Sequence, residues 1–189
     1  MSLPDIIGIS GTNCSGKDTL AGYLAKNFGY THISTGDICR DLAMELYGNI
    51  ERETLQKVGP EYKTKYGAGV FVELALKQPC PVAICGIRSM GELKVIKKAG
   101  GVMVFINADA KLRYDRMKKR ARDAEANKSF KEFMELDERE IDAGPTDADF
   151  KVGEINRTAD IHLDNSGDLD DFLDSAIQKL EEFSSRVTP

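Results

Sequence analysis

Residues 11–18 read GTNCSGKD, and their types and spacing predict chemistry with phosphate groups. In a loop of the form GxxxxGK, the glycines let the backbone fold so that successive N–H groups point at phosphate oxygens. The N-terminus of a following helix adds positive potential, and Lys17 supplies a cation for the β- and γ-phosphates. We therefore predict that this loop binds ATP or another nucleoside triphosphate and that Lys17 takes part in catalysis. The predicted nucleotide contacts are Gly11, Asn13, Cys14, Ser15, Gly16, Lys17, Asp18 and Thr19.

The residue after the lysine departs from the usual form of such loops. A Ser or Thr hydroxyl normally binds Mg²⁺ at this position, whereas this chain has Asp18 followed by Thr19. A carboxylate is a hard oxygen ligand, so we predict that Asp18 holds Mg²⁺ directly or through water. The alternative is that Asp18 is an acidic residue at a helix N-terminus, where the helix dipole favours it.

Strands that alternate with helices must position this loop. Short apolar runs predict strands at residues 5–10, 30–34, 81–85, 102–106 and 161–163. Helical spacing and capping residues predict helices at 17–28, 37–47, 51–77 in two pieces broken near residues 67–69, 92–99, 109–126, 129–141 and 169–183. This alternation predicts a parallel sheet that is covered by helices on both faces.

Composition excludes several classes of protein. The chain has 189 residues, of which 41% are hydrophobic and 30% charged, with a net charge of −5. We therefore expect a globular protein that spans no membrane and does not coat nucleic acid. The spacings of the four cysteines match no zinc or thioredoxin motif, which favours reduced thiols in a cytoplasmic protein.

A second motif, HISTGDICR at residues 32–40, follows the second predicted strand. It resembles the ISTGDxxR segment with which adenylate kinases bind a monophosphate. With the loop at 11–18, it makes the chain similar to P-loop nucleoside monophosphate kinases. The resemblance implies that Thr35, Gly36 and Asp37 contact the acceptor and that Arg40 grips its phosphate, for which a guanidinium fork is suited. The alternative is that Thr35 and Asp37 cap a helix and Arg40 is a solvated charge.

A third motif, CGIRSMGE at residues 85–92, follows the third predicted strand. It resembles DGFPR of adenylate kinases and, more closely, DGVRxxxE of dephospho-CoA kinase-like proteins. In both groups the leading Asp is the Walker B carboxylate near Mg²⁺, and here that position is Cys85. We hypothesise that Asp18 replaces the missing carboxylate. The resemblance also implies that Arg88 binds substrate phosphate and takes part in catalysis.

Two further segments carry weaker likenesses. Residues 52–61 resemble the RxxLQxxGTE segment of phage-type deoxynucleoside monophosphate kinases, which makes Arg52 and Gln56 candidate acceptor contacts. An exposed amphipathic helix explains the same pattern equally well. Residues 159–169 resemble the final segment of dephospho-CoA kinases, in which an Asn–Gly loop lies beside adenine. By that likeness Asn165, Ser166 and Gly167 contact the base.

Basic residues crowd the segment 113–122, and such a run is ordinarily a solvated helix face. Because it follows the fourth predicted strand, where these kinases place a lid, the resemblance implies that Arg116 and Arg120 act in catalysis over the triphosphate. Arg122 is a further candidate. Arg139, in the run DERE at 137–140, either faces phosphate or pairs with neighbouring acids.

Together these motifs predict an α/β protein with the three-layer α/β/α P-loop NTPase fold and a five-stranded parallel sheet in the order 2-3-1-4-5. We expect a single domain, residues 1–189, with an acceptor-binding insertion at about 36–78 and a lid at about 113–149. The expected activity is transfer of the γ-phosphoryl group of ATP, with Mg²⁺, to a nucleoside or deoxynucleoside monophosphate. Two alternatives remain: a hydroxyl kinase of the dephospho-CoA kinase type, with Asp37 as its base, and a nucleotide-binding regulator with weak NTPase activity.

Overall fold

The protein is described by a computed structural model that covers residues 2–120 and 128–187. Within those residues five parallel strands form one sheet in the order β2-β3-β1-β4-β5, as predicted. The strands are β1 (Ile6–Gly11), β2 (Thr31–Ser34), β3 (Val82–Cys85), β4 (Val102–Asn107) and β5 (Ile161–Asp164).

The described helices fall where the sequence predicted them, with one addition; residues 121–126 of the helix predicted at 109–126 lie outside the described part of the chain. The described helices are α1 (Lys17–Phe28), α2 (Thr35–Tyr47), α3 (Arg52–Tyr66), α4 (Val70–Ala75), α5 (Met90–Lys98), α6 (Ala110–Arg120), α7 (Phe130–Ile141), α8 (Val152–Thr158) and α9 (Leu169–Val187). The short helix α8 was not predicted. It contains Gly153, and its N-cap residue makes no side-chain capping bond, so it carries none of the usual start signals. None of the helices in the described ranges is both long and apolar enough to cross a membrane.

Two hydrophobic cores cover the two faces of the sheet. Alternate residues of the central strand, Ile7 and Ile9, are fully buried and pack with α1 and α9 through residues such as Leu20 and Leu180. The opposite face packs against α5 and α8 through residues such as Ile96. Burial on both faces explains why the strands read as continuous apolar runs and produces the three predicted layers.

The parallel register brings three segments together at the carboxyl edge of the sheet. Ile9 of β1 and Ser34 of β2 both pair with Cys85 of β3, and Gly11 pairs with Ile106 of β4. The loop after β1, the start of α2 and the residues after Cys85 therefore leave the sheet side by side. This edge is where open α/β sheets bind their ligands.

Close packing at Gly91 generates a stability prediction. A Cβ added to Gly91 would overlap the Cβ and the backbone of Ala68, whereas one added to Gly22 in α1 would meet nothing within 4 Å. We predict that Gly91→Ala lowers the free energy of unfolding by about 1–3 kcal/mol. The control Gly22→Ala leaves it unchanged or raises it by up to about 1 kcal/mol, because alanine is the better helix former. Urea denaturation measures both, and equal losses in the two variants would contradict the packing described.

Candidate functional site

The glycine loop follows β1 and opens α1, as the phosphate-binding interpretation requires. Gly11 has φ 146° and Gly16, the N-cap of α1, has φ 104°, and both values favour glycine. A Cβ on Gly11 would overlap the carbonyl oxygen of Ile106, and that oxygen also accepts a hydrogen bond from the N–H of Thr12 at 3.3 Å. The loop is therefore fixed to the neighbouring strand β4.

Lys17 lies at the start of α1 with its side chain turned along the loop. Its ammonium nitrogen donates hydrogen bonds to the carbonyl oxygens of Gly11, at 3.0 Å, and Thr12, at 2.6 Å. Burial, with a smaller contribution from the positive charge of Arg88, lowers the pKa of Lys17 to about 8. An ammonium group held by two neutral acceptors and close to a second cation favours the approach of an anion.

Two buried polar side-chain atoms of the described residues have no hydrogen-bond partner: Ser15 Oγ in the loop and Arg116 Nη1 on α6. The other terminal nitrogen of Arg116 donates to the carbonyl oxygen of Asn165 at 2.9 Å. The side-chain amide of Asn165 donates in turn to the carbonyl oxygen of Ser15 at 2.8 Å. A buried donor without a partner is costly, so these two atoms are suited to binding an oxygen-rich ligand beside the loop.

Residues 165–167, which follow β5, support the phosphate loop through side chains as well as backbone groups. Asn165 is 3% exposed and ties the loop to Ser15, while its own carbonyl oxygen is already bonded to Arg116. Ser166 accepts a hydrogen bond at Oγ from the N–H of Asp109. A Cβ on Gly167 would meet nothing within 4 Å, so space beside that residue is open. Asn165 thus acts first as a positioning residue for the phosphate loop.

A buried ion pair that the sequence did not reveal braces the same loop. Arg113 and Asp137 are 4% and 8% exposed and form a salt bridge between α6 and α7. Arg113 also donates to the carbonyl oxygen of Asn13, and Asp137 accepts from the backbone and side-chain nitrogens of Asn13 at 3.3 and 3.1 Å. Helical spacing in the sequence could have indicated that Arg113 is buried. Arg113 lies four residues before Met117, and both are on the buried face of α6.

The acceptor motif forms the turn from β2 into α2. The helix begins at Thr35, two residues earlier than predicted, because Ser34 is its N-cap and accepts the N–H of Asp37. Thr35 is buried, and its hydroxyl donates to the carbonyl oxygen of Gly86 at 2.9 Å. The Thr35 hydroxyl therefore links the motif at residues 32–40 to the motif at residues 85–92.

Arg40, the predicted phosphate ligand of α2, forms a salt bridge with Asp37, and both side chains are partly exposed. Gly36 lies beside this pair, since a Cβ there would be 3.5 Å from a guanidinium nitrogen of Arg40. A phosphate must therefore compete with the Asp37 carboxylate for Arg40.

Arg88 follows β3 and reaches toward α7. A guanidinium nitrogen lies 3.6 Å from a carboxylate oxygen of Glu140, and the guanidinium carbon lies 5.5 Å from the centre of the Phe150 ring. In the run 137–140 it is therefore Asp137 and Glu140 that face the site, while Arg139 is exposed. Because Arg88 also lowers the pKa of Lys17, its charge acts at the phosphate loop.

The remaining predicted residues are more peripheral. Arg120 and Thr19 are exposed, as is Gln56 on α3. The side chain of Arg52 and all of Arg122 lie outside the described part of the chain. The acceptor roles of Arg52 and Gln56 and the lid role of the arginines stay predictions.

Asp18, His32 and Cys85 meet beside Lys17. The Cys85 thiol donates to Asp18 Oδ1 at 3.1 Å, and His32 Nε2 lies 3.3 Å from Cys85 Sγ. Burial raises the pKa of Cys85 to about 12, and the hydrogen bond to Asp18 contributes. The exposed Asp18 carboxylate fits Mg²⁺, which prefers oxygen ligands, whereas the thiol and the imidazole do not. The resemblance already associated Asp18 with the position of Cys85, and the fold adds His32 to the group.

Comparison with known proteins gives one family and several related folds. The family model described as "AAA domain" matches residues 7–141. The cytidylate kinase of Natronomonas pharaonis is 58% identical over 38 residues, which are 20% of this chain and 20% of that protein. The match thus spans a fifth of the length of this relative.

Two solved structures share the architecture over nearly the whole chain. Shikimate kinase from Aquifex aeolicus has a TM-score of 0.60 and 18% identity, covering 95% of this chain and 98% of its own. Gluconokinase from Sinorhizobium meliloti has a TM-score of 0.59 and 16% identity, covering 99% and 97%. At such identities the likeness establishes the fold, and the predicted P-loop α/β/α architecture is confirmed.

The buried pair of Arg113 and Asp137 generates a second stability prediction. Asp137→Ala leaves the Arg113 cation buried without its carboxylate, so we expect a loss of about 3–5 kcal/mol in the free energy of unfolding. Glu138→Ala is the matched control on the same helix; Glu138 is exposed, and the expected change is within about 0.5 kcal/mol. Chemical denaturation distinguishes the two, and an Asp137→Ala protein as stable as the control would show that the brace is unimportant.

The lowered pKa of Lys17 generates a prediction for nucleotide binding. With a pKa of about 8, most Lys17 side chains are neutral at pH 8.5, and a bound triphosphate would raise that pKa and restore the charge. We therefore expect proton uptake on ATP binding at pH 8.5 and an affinity that falls as the pH rises above about 8. Isothermal titration in buffers of different ionisation enthalpy measures the uptake. Lys17→Met should abolish the proton uptake that comes from this side chain. Proton uptake that persists in Lys17→Met would come from another group and would contradict the prediction.

Proposed function

The chain belongs to the family described as an AAA domain, with the P-loop kinase fold, and from this premise we propose that it transfers the γ-phosphoryl group of ATP to a nucleoside or deoxynucleoside monophosphate. One observation carries the proposal. Lys17, in the glycine loop, and Arg88, after β3, lie close enough for the charge of Arg88 to lower the pKa of Lys17. Two cations this close together at the carboxyl edge of the sheet suit phosphoryl transfer, because both can stabilise negative charge on the transferred group.

On the donor side, the loop and its supports would bind the triphosphate. The backbone of the loop and Lys17 would face the β- and γ-phosphates, and Ser15 Oγ and Arg116 Nη1 are the buried side-chain atoms of the described residues that lack partners. Asp18 is the residue that would hold Mg²⁺, which when bound neutralises charge on the phosphate oxygens. Asn165 holds Arg116 and Ser15 in position relative to each other through two hydrogen bonds, one to each residue.

On the acceptor side, Arg40 and Arg88 are the groups that would bind a monophosphate. Each is paired with a carboxylate, Arg40 with Asp37 and Arg88 with Glu140, and both pairs are partly exposed. A phosphate dianion is a stronger partner for a guanidinium fork than a single carboxylate, so it can displace these contacts. Its anionic oxygen would attack the γ-phosphorus while the bond to the β–γ bridging oxygen breaks and ADP leaves, so no strong general base is needed.

The short match to a cytidylate kinase supports a monophosphate and makes cytidylate the first acceptor to test. The hydroxyl-kinase alternative needs Asp37 as a base. Asp37 forms a salt bridge with Arg40 in this fold, so its carboxylate is already occupied, which argues against that role.

A screen of acceptors tests the proposal. Purified protein with MgATP is incubated with CMP, dCMP, UMP, AMP, GMP and dTMP, with dephospho-CoA, and with water alone, and products are separated by chromatography. The proposal predicts a nucleoside diphosphate from at least one monophosphate. Transfer to dephospho-CoA alone would identify a hydroxyl kinase, and ATP hydrolysis without any transfer would identify a regulator; either result contradicts the proposal.

A pair of arginine variants locates the activity in this site. Arg88→Gln should lower kcat/KM for the acceptor by about 10²-fold or more, because one donor to the transferring group is lost. Arg186→Gln is the control, since Arg186 is exposed on α9 and pairs only with neighbouring Glu182 among the described contacts. Equal activity in the two variants would exclude Arg88 from the reaction.

A further inference from the structure

The three side chains Asp18, His32 and Cys85 come from separate segments and converge on one point. Asp18 is on α1, His32 is in β2 and Cys85 ends β3. Their nearest atoms are 3.1 Å apart for Cys85 and Asp18, 3.3 Å for Cys85 and His32, and 3.9 Å for His32 and Asp18. Within the described residues they are the group of potential metal ligands whose atoms all lie within 4.8 Å of one another.

These separations match those of a zinc site. Tetrahedral angles with ordinary Zn–S, Zn–N and Zn–O bond lengths place ligand atoms roughly 3.3–3.6 Å apart. Each observed separation lies within about 0.6 Å of that range, so small side-chain rotations would suffice to bring the three atoms to bonding distance of one ion. The fixed register of β2 and β3, where Ser34 pairs with Cys85, holds His32 and Cys85 in place.

The chemistry of the donors selects the class of metal. One thiol, one imidazole and one carboxylate suit Zn²⁺ and similar thiophilic ions, whereas Mg²⁺ takes oxygen ligands almost exclusively. The Asp18 side chain is 66% exposed and that of His32 31% exposed, so water can reach the ion and fill a fourth position.

We propose that Asp18, His32 and Cys85 form a binding site for a thiophilic divalent cation such as Zn²⁺, with a fourth position open to water. On binding, Cys85 forms the S–metal bond as a thiolate and its proton passes to solvent. The site goes beyond the proposed kinase activity, because the metal needs no nucleotide in order to bind. Since Asp18 is also the proposed Mg²⁺ ligand, Mg²⁺ and the thiophilic cation would use the same carboxylate.

Cobalt tests the site directly, because Co²⁺ bound to a thiolate gives a sulfur-to-metal charge-transfer band in the near ultraviolet. The nucleotide-free protein, fully reduced, is titrated with Co²⁺ alone and then with Zn²⁺. We expect one equivalent of Co²⁺ to produce the band and one equivalent of Zn²⁺ to remove it. A titration without the band, or one that needs several equivalents, would overturn the proposal.

Cysteine variants assign the band to this cluster. Cys85→Ser should abolish it and weaken Zn²⁺ binding by more than about 100-fold, the upper end of the loss seen when outer-shell partners are removed. Cys80→Ser is the matched control, since Cys80 is exposed before β3 and lies outside the cluster, and it should keep the band. A band that survives in Cys85→Ser would place the metal on another thiol and contradict the assignment.

Two further variants distinguish the loss of a metal ligand from the loss of the folded structure. Cys85→Asp restores a carboxylate at this position, and it should remove the charge-transfer band while circular dichroism shows a folded protein. His32→Gln should weaken Zn²⁺ binding with Cys85 intact, and unchanged affinity there would exclude the histidine. None of these readings uses kinase activity, so failure of the metal site and failure of the proposed function are distinguished.

Discussion

The contact between Gly11 and the carbonyl oxygen of Ile106 determines where the phosphate loop lies. Because no side chain fits between them, β1 passes directly against β4 and turns into α1 at the carboxyl edge of the sheet. The loop then receives two further supports, from Asn165 after β5 and from Asp137 on α7. A cradle of backbone N–H groups is useful for binding only when it is rigid, and these contacts supply that rigidity.

Charge pairing is the second organising feature of the site. Arg40, Arg88 and Arg113 each meet a carboxylate, and in the last two cases the carboxylate comes from α7. The pairs differ in burial, and this separates their roles. The buried pair of Arg113 and Asp137 holds the loop, whereas Arg40 and Arg88, in the more exposed pairs, are the arginines that we propose exchange a carboxylate for a phosphate.

Local signals in the sequence predicted the five strands and the position of the phosphate loop, because glycine spacing and apolar runs report on the backbone. The order of the strands was expected from the P-loop kinase fold that the motifs resemble. Local signals could not predict contacts made across the fold. Asp137 contacts Asn13 across 124 positions of the sequence, and His32 contacts Cys85 across 53, and neither spacing belongs to a motif. The same limit explains why Arg139 was considered as a phosphate ligand while its neighbours Asp137 and Glu140 face the site.

The central claim is that the loop at residues 11–18 and the Lys17 ammonium together bind polyphosphate. Its most direct test is an equilibrium titration of MgATP into the wild-type protein and into Lys17→Glu, with circular dichroism to establish that both are folded. We expect saturable binding by the wild type and a loss of detectable binding in the charge-reversed protein. Equal affinity in the two proteins, or no binding by the folded wild type, would contradict it.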